Sequence, residues 1–313
     1  MVGRFVFCGT GLQVTLSRRY RPPCAVEPGL SSKRLCATRL PGRPVLGFYF
    51  TTLVGMLILF PPSEGKTPAT SGSGVELGEL LAPELTGARE AVVDELVRVS
   101  GLPDAGQLLK VGPSLLAEVE RNTRLWSEPA APASDVYSGV LFEAFGYDSL
   151  GADARKRADR AVVVISAAWG VVGLTDMIPA YRLSMGTKLG EIGDLAKFWK
   201  GELKRPLDEL AGDQLVVDGR SAAYAKAWTP APQCHLLVRV ERVAADGSRK
   251  VVSHMAKHYR GLLGRYLVQE NLTEIEDAGE LAKALAPGFE VELLSPTEKK
   301  PGTLTLLVRE QGT

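Results

Sequence analysis

The chain has 313 residues, of which 45% are hydrophobic and 23% are charged. This composition is typical of globular proteins and excludes a disordered or collagen-like chain. The formal net charge of +1 hides a division, because residues 1–55 carry eight basic side chains and one acid, whereas the rest carries 29 basic and 35 acidic residues. A mildly acidic body would contact a polyanion only through a local basic patch.

Residues 1–55 are rich in arginine and show neither helical nor strand periodicity. Three interpretations are open: an organellar transit peptide, a basic tail that binds nucleic acid, or a start codon that is assigned too early. We favour the last, because Met56 opens an apolar strand where a domain could begin. We therefore predict an unstructured basic extension over 1–55 and one domain over 56–313.

The apolar run at 45–60 spans about 16 residues, fewer than the roughly 20 that a membrane helix needs. We therefore predict no transmembrane helix and no membrane partner. The body contains one cysteine, Cys234, and no CxxC pair, which favours a reducing compartment. Together these features predict a cytoplasmic protein. The oligomeric state is left open.

The predicted elements of the body begin with a buried strand at 56–60 and a Pro- and Gly-rich loop at 61–67. Apolar residues at helical spacing predict a helix at 87–99, residues 126–135 are interpreted as a linker or surface loop, and the run AVVVIS predicts a central strand at 161–166. Further elements are helices at about 191–210, 221–227, 254–270 and 277–285, and strands at 214–218, 235–243, 249–253, 289–294 and 303–309. This order predicts an α+β (mixed α/β) fold, a single compact domain with a mixed β-sheet flanked by helices.

The stretch Ser63-Glu64-Gly65-Lys66-Thr67 follows the first strand and resembles the end of a phosphate-binding P-loop. Phe60 stands where that motif needs its first glycine, and Pro68 follows where a helix should open. A nucleotide P-loop is therefore disfavoured. An ordinary turn and a non-standard anion site that uses Lys66 and Thr67 are both open.

Residues 108–119 are interpreted as a helix, a tight glycine turn and a second helix. Helix-hairpin-helix elements of this shape aim backbone amides at DNA phosphates without reading sequence. An ordinary corner between two helices explains the pattern as well. On the DNA interpretation, the candidate phosphate contacts are Lys110, Gly112 and Ser114.

The segment 254–266 places cations and glycines on one side of a helix, within an arc of about 140°. The members of this face are His254, Lys257, Arg260, Gly261, Gly264 and Arg265. Glycine inside a helix costs about 1 kcal/mol relative to alanine, so two of them indicate a close approach of something to this face. A phosphate backbone would fit, and so would tight packing of another helix.

Two further segments carry candidate side chains. A loop after the apolar strand holds Trp169, Arg182 and Lys188, and a short helix that starts at Ser221 holds Tyr224 and Lys226. The three histidines of the chain have no carboxylate at metal spacing, so we predict no metal site. No motif predicts a cofactor, and no catalytic residue is assigned.

Six stretches, in this order, resemble the peroxide stress protein YaaA family. They are MLILFPPSEGKT (56–67), VYSGVLFEAF (136–145), the run from 166 to PAYRLSMGTKL (179–189), KFW (197–199), SAAYAKAW (221–228) and AKHYRGLLGRYLVQENL (256–272). The resemblance implies a single-domain α/β fold with a helix-hairpin-helix at about 96–121, whose turn falls at 111–114. It also implies DNA binding and a role in limiting hydrogen peroxide damage, including low levels of unincorporated iron.

The chain departs from the family pattern at two places. The family's first loop commonly reads Ser-Pro-Ala-Lys-Thr, and this chain keeps Lys66 and Thr67 but changes the residues before them. The family also tends to carry an acid between Ser and Tyr in the SAAYAKAW region, where this chain has Ala222 and Ala223. A catalytic role of that region is therefore weakened here.

Three hypotheses follow. The leading one is a DNA-binding stress protein with little sequence preference, acting on double-stranded or distorted DNA. The hairpin amides and the cationic face of the 254–265 helix would contact phosphates, and Lys66, Arg182 and Lys188 would line a shared cleft. The alternative is an enzyme that acts on a phosphorylated small molecule or a nucleotide in that cleft. Its site would draw on the following side chains: Ser63, Tyr137, Trp169, Ser221 and Tyr224. Direct iron binding is a third and weaker hypothesis.

Overall fold

A computed structural model of the protein describes residues 55–252 and 255–309. The predicted basic extension, with its three cysteines, lies outside the described residues except for residue 55. The prediction that the start codon is assigned too early concerns the same residues. His254, predicted on the cationic helix face, also falls outside it.

An eight-stranded mixed sheet and two small strand pairs make up the β-structure of the described chain. The strands are β1 (Met56–Phe60), β2 (Ala131–Pro132), β3 (Val162–Ser166), β4 (Gly170–Gly173), β5 (Met177–Ile178), β6 (Lys188–Leu189), β7 (Gly193–Asp194), β8 (Leu215–Asp218), β9 (His235–Val243), β10 (Arg249–Val251), β11 (Val291–Leu294) and β12 (Gly302–Arg309). The large sheet has the order β11-β12-β9-β8-β1-β3-β4, with β10 beside β9. Strands β3, β1, β8, β9 and β12 run parallel, and β4, β10 and β11 each pair antiparallel with a neighbour.

The parallel centre of the sheet follows from its sequence. The runs MLILF, VVVIS and LVVD are buried at every residue, as expected of parallel strands that are covered on both faces. The predicted α+β fold is therefore confirmed, as a compact domain with a mixed sheet and flanking helices.

Ten α-helices surround the sheet in the described residues. They are α1 (Thr86–Ser100), α2 (Ala105–Leu108), α3 (Leu116–Asn122), α4 (Ala133–Val136), α5 (Val140–Phe145), α6 (Ala152–Ala161), α7 (Leu195–Ala211), α8 (Ala222–Ala225), α9 (Ala256–Gln269) and α10 (Ala278–Leu285). None of the helices in the described range is both long and apolar enough to cross a membrane.

Buried arginine Arg89 fastens α1 to the sheet. Its guanidinium is fully buried and donates hydrogen bonds to five backbone carbonyls, those of Leu77, Leu81, Ala82, Trp169 and Val171. Burial lowers its pKa to about 10, which leaves the group charged at neutral pH. A charge can be held in the interior because every donor meets a carbonyl dipole.

The carboxyl ends of β1, β3 and β8 meet at one edge of the sheet. Since β1 pairs in parallel with both neighbours, Phe60, Ser166 and Asp218 all end their strands on this edge. Ligand sites of open α/β sheets form outside such an edge, because the loops that follow neighbouring strands converge there. The loops that carry Lys66, Trp169 and Ser221 start from it.

Three parts of the fold differ from the sequence-based prediction. The linker or surface loop predicted at 126–135 is wrong in its second half, which contains β2 and the start of α4, whereas 126–130 lie outside helices and strands. Ala130 and Ala133 are buried in the core. Residues 170–173 were predicted as loop and form the buried strand β4. Helices α5 and α6 were not predicted, because short, alanine-rich or interrupted segments give weak apolar periodicity.

The segment predicted as a helix-hairpin-helix contains the four-residue helix α2, a turn, a single 3-10 turn at Pro113–Leu115 and the seven-residue helix α3. The left-handed residue of the turn is Lys110, with φ of 56°, whereas Gly112 has φ of −75°. The glycine that suggested the turn is therefore not the residue that makes it. A helix-hairpin-helix that binds DNA stays a prediction.

Candidate functional site

Lys66 lies in the loop that follows β1, and its neighbours fix its position. The Ser63 hydroxyl accepts a hydrogen bond from the Ser138 amide at 3.0 Å and donates to the Gly65 carbonyl. The Lys66 backbone forms a bridge with Tyr137. The Lys66 ammonium nitrogen Nζ donates to the Ser63 carbonyl at 2.8 Å. No helix opens at this lysine, so the loop is not a nucleotide P-loop.

Two tyrosine rings lie beside the Lys66 amine. Nζ is 4.2 Å from the centroid of the Tyr181 ring and 5.7 Å from that of Tyr137. The two phenol oxygens are 3.2 Å apart, and the Tyr181 oxygen is 2.7 Å from the Ser166 hydroxyl at the end of β3. Ser166 in turn accepts a hydrogen bond from the Trp169 amide at 3.0 Å. We call Lys66, Tyr137, Tyr181 and Ser166 the lysine–tyrosine cluster.

The electrostatics of the cluster are unusual for a lysine. Burial lowers the pKa of Lys66 to about 7, although the charge of Glu64 acts in the opposite direction. The Arg182 charge lowers this pKa further. Burial raises the pKa of Tyr137 to about 12 and that of Tyr181 well above its ordinary value. At neutral pH, a large share of the lysine is therefore a free amine, while both phenols keep their protons.

Arg182 closes one side of the site and is already paired. Its guanidinium lies 3.3 Å from the Glu64 carboxylate and 3.5 Å from that of Glu118 on α3. Its backbone is held by Asn122, whose side chain accepts from the Arg182 amide at 2.8 Å and donates to the Arg182 carbonyl at 2.9 Å. The Arg182 charge is thus neutralised locally, and the loop that carries Tyr181 is anchored to α3.

The other predicted small-molecule residues fall into two groups. Tyr224 is buried, and burial and then the charges of Glu64 and Tyr137 raise the pKa of its phenol. Hydrogen bonding with the Met185 backbone and the Ser184 side chain acts in the opposite direction. Ser63 and Tyr137 are part of the site described above. Trp169 is fully buried and packs edge-on against Tyr181, so it supports the cluster from the core. Ser221 is half-buried at the start of α8.

A second polar cluster at the same sheet edge was missed by the sequence analysis. Asp218 receives two side-chain bonds from Arg220, at 2.9 and 2.7 Å, and lies 2.9 Å from Nε2 of His235. Burial would raise the pKa of Asp218, but the Arg220 charge and these hydrogen bonds hold it well below its usual range. The only available signal was a charged residue at the end of an apolar strand.

The predicted cationic face of α9 is largely turned inward. A Cβ atom on Gly261 would overlap the Leu141 carbonyl of α5, and one on Gly264 would overlap the Phe60 ring. The two glycines therefore serve helix packing. The guanidinium of Arg265 donates to the Phe145 and Gly146 carbonyls at 3.0 and 2.9 Å.

Of the remaining cations on α9, Arg260 donates to the Val238 carbonyl at 3.1 Å, and burial lowers its pKa. Lys257 is exposed. Among the described cations of the predicted face, only Lys257 could meet a ligand without first giving up a hydrogen bond to a backbone carbonyl.

The other predicted phosphate contacts lie on the surface. Lys110, Gly112 and Ser114 are exposed on the turn between α2 and α3, which we call the hairpin turn. Lys110 Nζ donates to the Gly186 carbonyl at 3.3 Å. This contact joins the turn to the loop that carries Tyr181 and Arg182.

Three further predicted contacts are also exposed. Thr67 lies next to Lys66 in the loop after β1, and its amide donates to the Val136 carbonyl at 2.9 Å. Lys188 is exposed on β6 and Lys226 follows α8. Of the predicted cleft, Lys66 and Arg182 therefore come together, and no contact joins Lys188 to either within the described residues. Over the same residues, no group of three or more His, Cys, Asp or Glu side chains could hold a metal ion.

Comparisons with known proteins agree on one family. A sequence model of the family described as peroxide stress protein YaaA matches residues 56–292. A UPF0246 protein of Streptomyces coelicolor is 42% identical over 82% of this chain and 99% of its own length. UPF0246 proteins of Corynebacterium efficiens and Corynebacterium glutamicum are 42% and 38% identical, each over 81% of this chain and the full length of the relative.

Proposed function

Because the chain belongs to the peroxide stress protein YaaA family, we propose that it acts in peroxide stress by binding DNA through the phosphate backbone, with little sequence preference. The family name supports the general role in oxidative stress. DNA binding and the limitation of iron-dependent damage are the finer parts of the proposal.

The observation that carries the proposal is the position of the hairpin turn. Lys110, Gly112 and Ser114 are exposed together, and the Lys110–Gly186 bond places them beside the loop of the lysine–tyrosine cluster. A DNA backbone on the turn would therefore lie beside the loop that carries Tyr181 and Arg182. Backbone amides and a lysine are sequence-independent phosphate contacts, which position a duplex without reading its bases.

The test is duplex binding by the full chain across a salt series, measured by fluorescence anisotropy. Each phosphate contact that is lost should reduce the slope of log affinity against log salt by roughly 0.9. We expect Lys110→Ala to weaken binding to all duplex sequences and to reduce the slope by about one such contact.

Lys204→Ala is the matched control, since Lys204 is an exposed lysine of α7 whose side chain already pairs with Asp208 at 2.6 Å. Both variants keep residues 1–55, so non-specific DNA binding by that basic segment contributes equally to the two measured affinities. Equal affinities and equal slopes for Lys110→Ala and the wild type would remove the hairpin turn from the interface.

The protective role is tested on DNA itself. A supercoiled plasmid treated with Fe(II) and hydrogen peroxide should be nicked more slowly in the presence of the wild-type protein. Lys110→Ala should protect less at equal protein concentration. Protection that is independent of DNA affinity would show that the protein does not act by covering DNA.

The lysine–tyrosine cluster favours a second candidate function, an enzyme that acts on a phosphorylated small molecule or a nucleotide. The specific observation is the placement of the Lys66 amine beside two phenols at the carboxyl edge of the parallel strands. Calorimetric titration with nucleotides, with and without duplex competitor, tests it. Saturable binding that duplex DNA leaves unchanged supports the enzyme, and the absence of heat with any nucleotide opposes it.

A further inference from the structure

The Lys66 amine is half-buried and has few hydrogen-bond partners for a cation in that setting. Its one hydrogen bond goes to the Ser63 carbonyl, and no carboxylate of the described residues lies within 4.0 Å of Nζ. Lysine is rarely withdrawn from water without a charged partner, because an unpaired charge loses its hydration there. A lysine in this setting is stable as the neutral amine, whose lone pair is a nucleophile.

Charged and titratable groups face this amine from every side. Glu64 comes from its own loop, Glu118 from α3, and Arg182, Tyr181 and Tyr137 from the loops that pack on it. The two acids favour the ammonium form, but each also pairs with Arg182. Burial and the Arg182 charge prevail, so the pKa of Lys66 falls to about 7.

We propose that Lys66 is the nucleophile of a catalytic site for small carbonyl compounds, in which its amine condenses with an aldehyde or ketone to form an imine. Nothing in the DNA-binding proposal requires this chemistry, and it would stand if the protein bound no DNA. It gives a reaction class to the lysine–tyrosine cluster.

The step balances without any oxidant or reductant. The Nζ lone pair attacks the carbonyl carbon, a C–N bond forms, and the π electrons of the carbonyl move to its oxygen. That oxygen takes up a proton, and a second proton transfer allows it to leave as water. The nitrogen loses its protons in exchange, so amine and carbonyl give imine and one water.

The hydroxyl network supplies the acid that this step needs. Tyr181 lies nearest to the amine, and its phenol oxygen is linked to those of Tyr137 and Ser166 at 3.2 and 2.7 Å. Because the phenols remain protonated at neutral pH, one can donate a proton to the carbonyl oxygen and recover it through its neighbours.

The experiment is imine trapping on the full chain. The protein is incubated at pH 7 with glycolaldehyde or pyruvate and sodium cyanoborohydride, which reduces an imine to a stable secondary amine, and modified lysines are found by peptide mass spectrometry. We expect Lys66 to be modified on the order of 100-fold faster than the exposed lysines Lys204 and Lys226, because ordinary lysines are almost fully protonated at this pH. The glycolaldehyde and pyruvate arms distinguish an aldehyde from a ketone substrate. Lys66→Arg should abolish the Lys66 adduct and leave the other sites unchanged.

Acetic anhydride provides the control for simple reactivity, since acylation needs a neutral amine but no proton donor. The preference for Lys66 over the two exposed lysines should be larger in imine trapping than in acylation. Tyr181→Phe, which keeps the ring, should slow trapping several-fold and leave acylation of Lys66 unchanged. An equal preference in both reactions, or labelling of Lys66 no faster than of Lys204 with either probe, would overturn the proposal.

Discussion

Lys66 and Arg265 are both cations that the sequence assigned to phosphate binding, and the structure treats them differently. The Arg265 guanidinium donates to two carbonyls at the end of α5 and to the Ser149 hydroxyl at 2.8 Å. The Lys66 amine donates to one carbonyl and otherwise contacts tyrosine rings. The first cation stabilises the fold, whereas the second has a single hydrogen-bond acceptor in the part of the chain that the structure describes. A cation whose N–H donors are all hydrogen-bonded within the protein has a structural role. Whether its donors are occupied, and not whether it lies in a motif, distinguishes it from a functional cation.

The largest expected effect is at Arg89, the extreme case of a structural cation. Arg89→Met leaves five backbone carbonyls without their donor, and each buried unsatisfied group costs about 1–3 kcal/mol. We expect the free energy of unfolding, measured in urea, to fall by at least about 3 kcal/mol.

Arg98→Met on the same helix is the control, because its ion pair with Glu95 is about half exposed on the arginine side, at 52%. Its loss should lower the free energy of unfolding far less than Arg89→Met does, because exposed ion pairs contribute little. A similar loss of unfolding free energy in Arg89→Met and Arg98→Met would contradict the view that a structural cation is one whose N–H donors are all hydrogen-bonded.

The next effect concerns Lys66, and it depends on pH. The folded-state pKa of about 7 lies below the ordinary value, so between pH 7 and about 10 the unfolded chain binds a proton that the folded chain does not. Lys66 therefore destabilises the fold fully below pH 7, and this cost disappears as the pH rises toward 10. We expect Lys66→Met to stabilise the protein by about 4 kcal/mol at pH 7 and by less than about 1 kcal/mol at pH 10.

Urea unfolding of both proteins at pH 7, 8.5 and 10 measures this difference. Lys226→Met, which changes an exposed lysine, should track the wild type at each pH. A constant offset between Lys66→Met and the wild type over this range would show that Lys66 is charged in the folded protein.

A smaller effect tests the packing role of the α9 glycines. Gly261→Ala places a methyl group against the Leu141 carbonyl and should destabilise the fold by about 1–2 kcal/mol, the overpacking cost less the gain in helix propensity. Gly201→Ala in α7 meets nothing within 4 Å and should stabilise by up to about 1 kcal/mol. Thermal unfolding compares them. If both substitutions stabilised the protein, Gly261 would again be a candidate for a residue that faces a ligand.

The sequence predicted the centre of the fold because strands buried on both faces need continuous apolar runs. Strands β1 and β9 were placed at their observed bounds, and β3, β8 and β12 within one residue. Strand β4 was missed because it begins and ends with a glycine, Gly170 and Gly173, and is only four residues long. A linker was predicted where Ala130 and Ala133 are buried, since alanine and proline alone do not reveal burial.

The candidate site was predictable only in part. Lys66 stood out in its loop, but its partners Tyr137 and Tyr181 lie 44 residues apart and are joined only by the fold. Asp218 and His235 likewise meet because β8 and β9 pair in parallel. For Gly261, the sequence could not decide between a ligand and a packed helix, because both require the same absence of a side chain.

The most direct test of the account is the protonation of Lys66 itself. An NMR titration of protein with isotope-labelled lysine, assigned by Lys66→Arg, follows the side-chain signals next to each amine from pH 5 to 11. We expect one lysine to titrate with a midpoint near 7 and to disappear in the variant. A midpoint for Lys66 near the ordinary value of about 10.4 would contradict the account, because the cluster would then hold an ordinary charged lysine and no nucleophile.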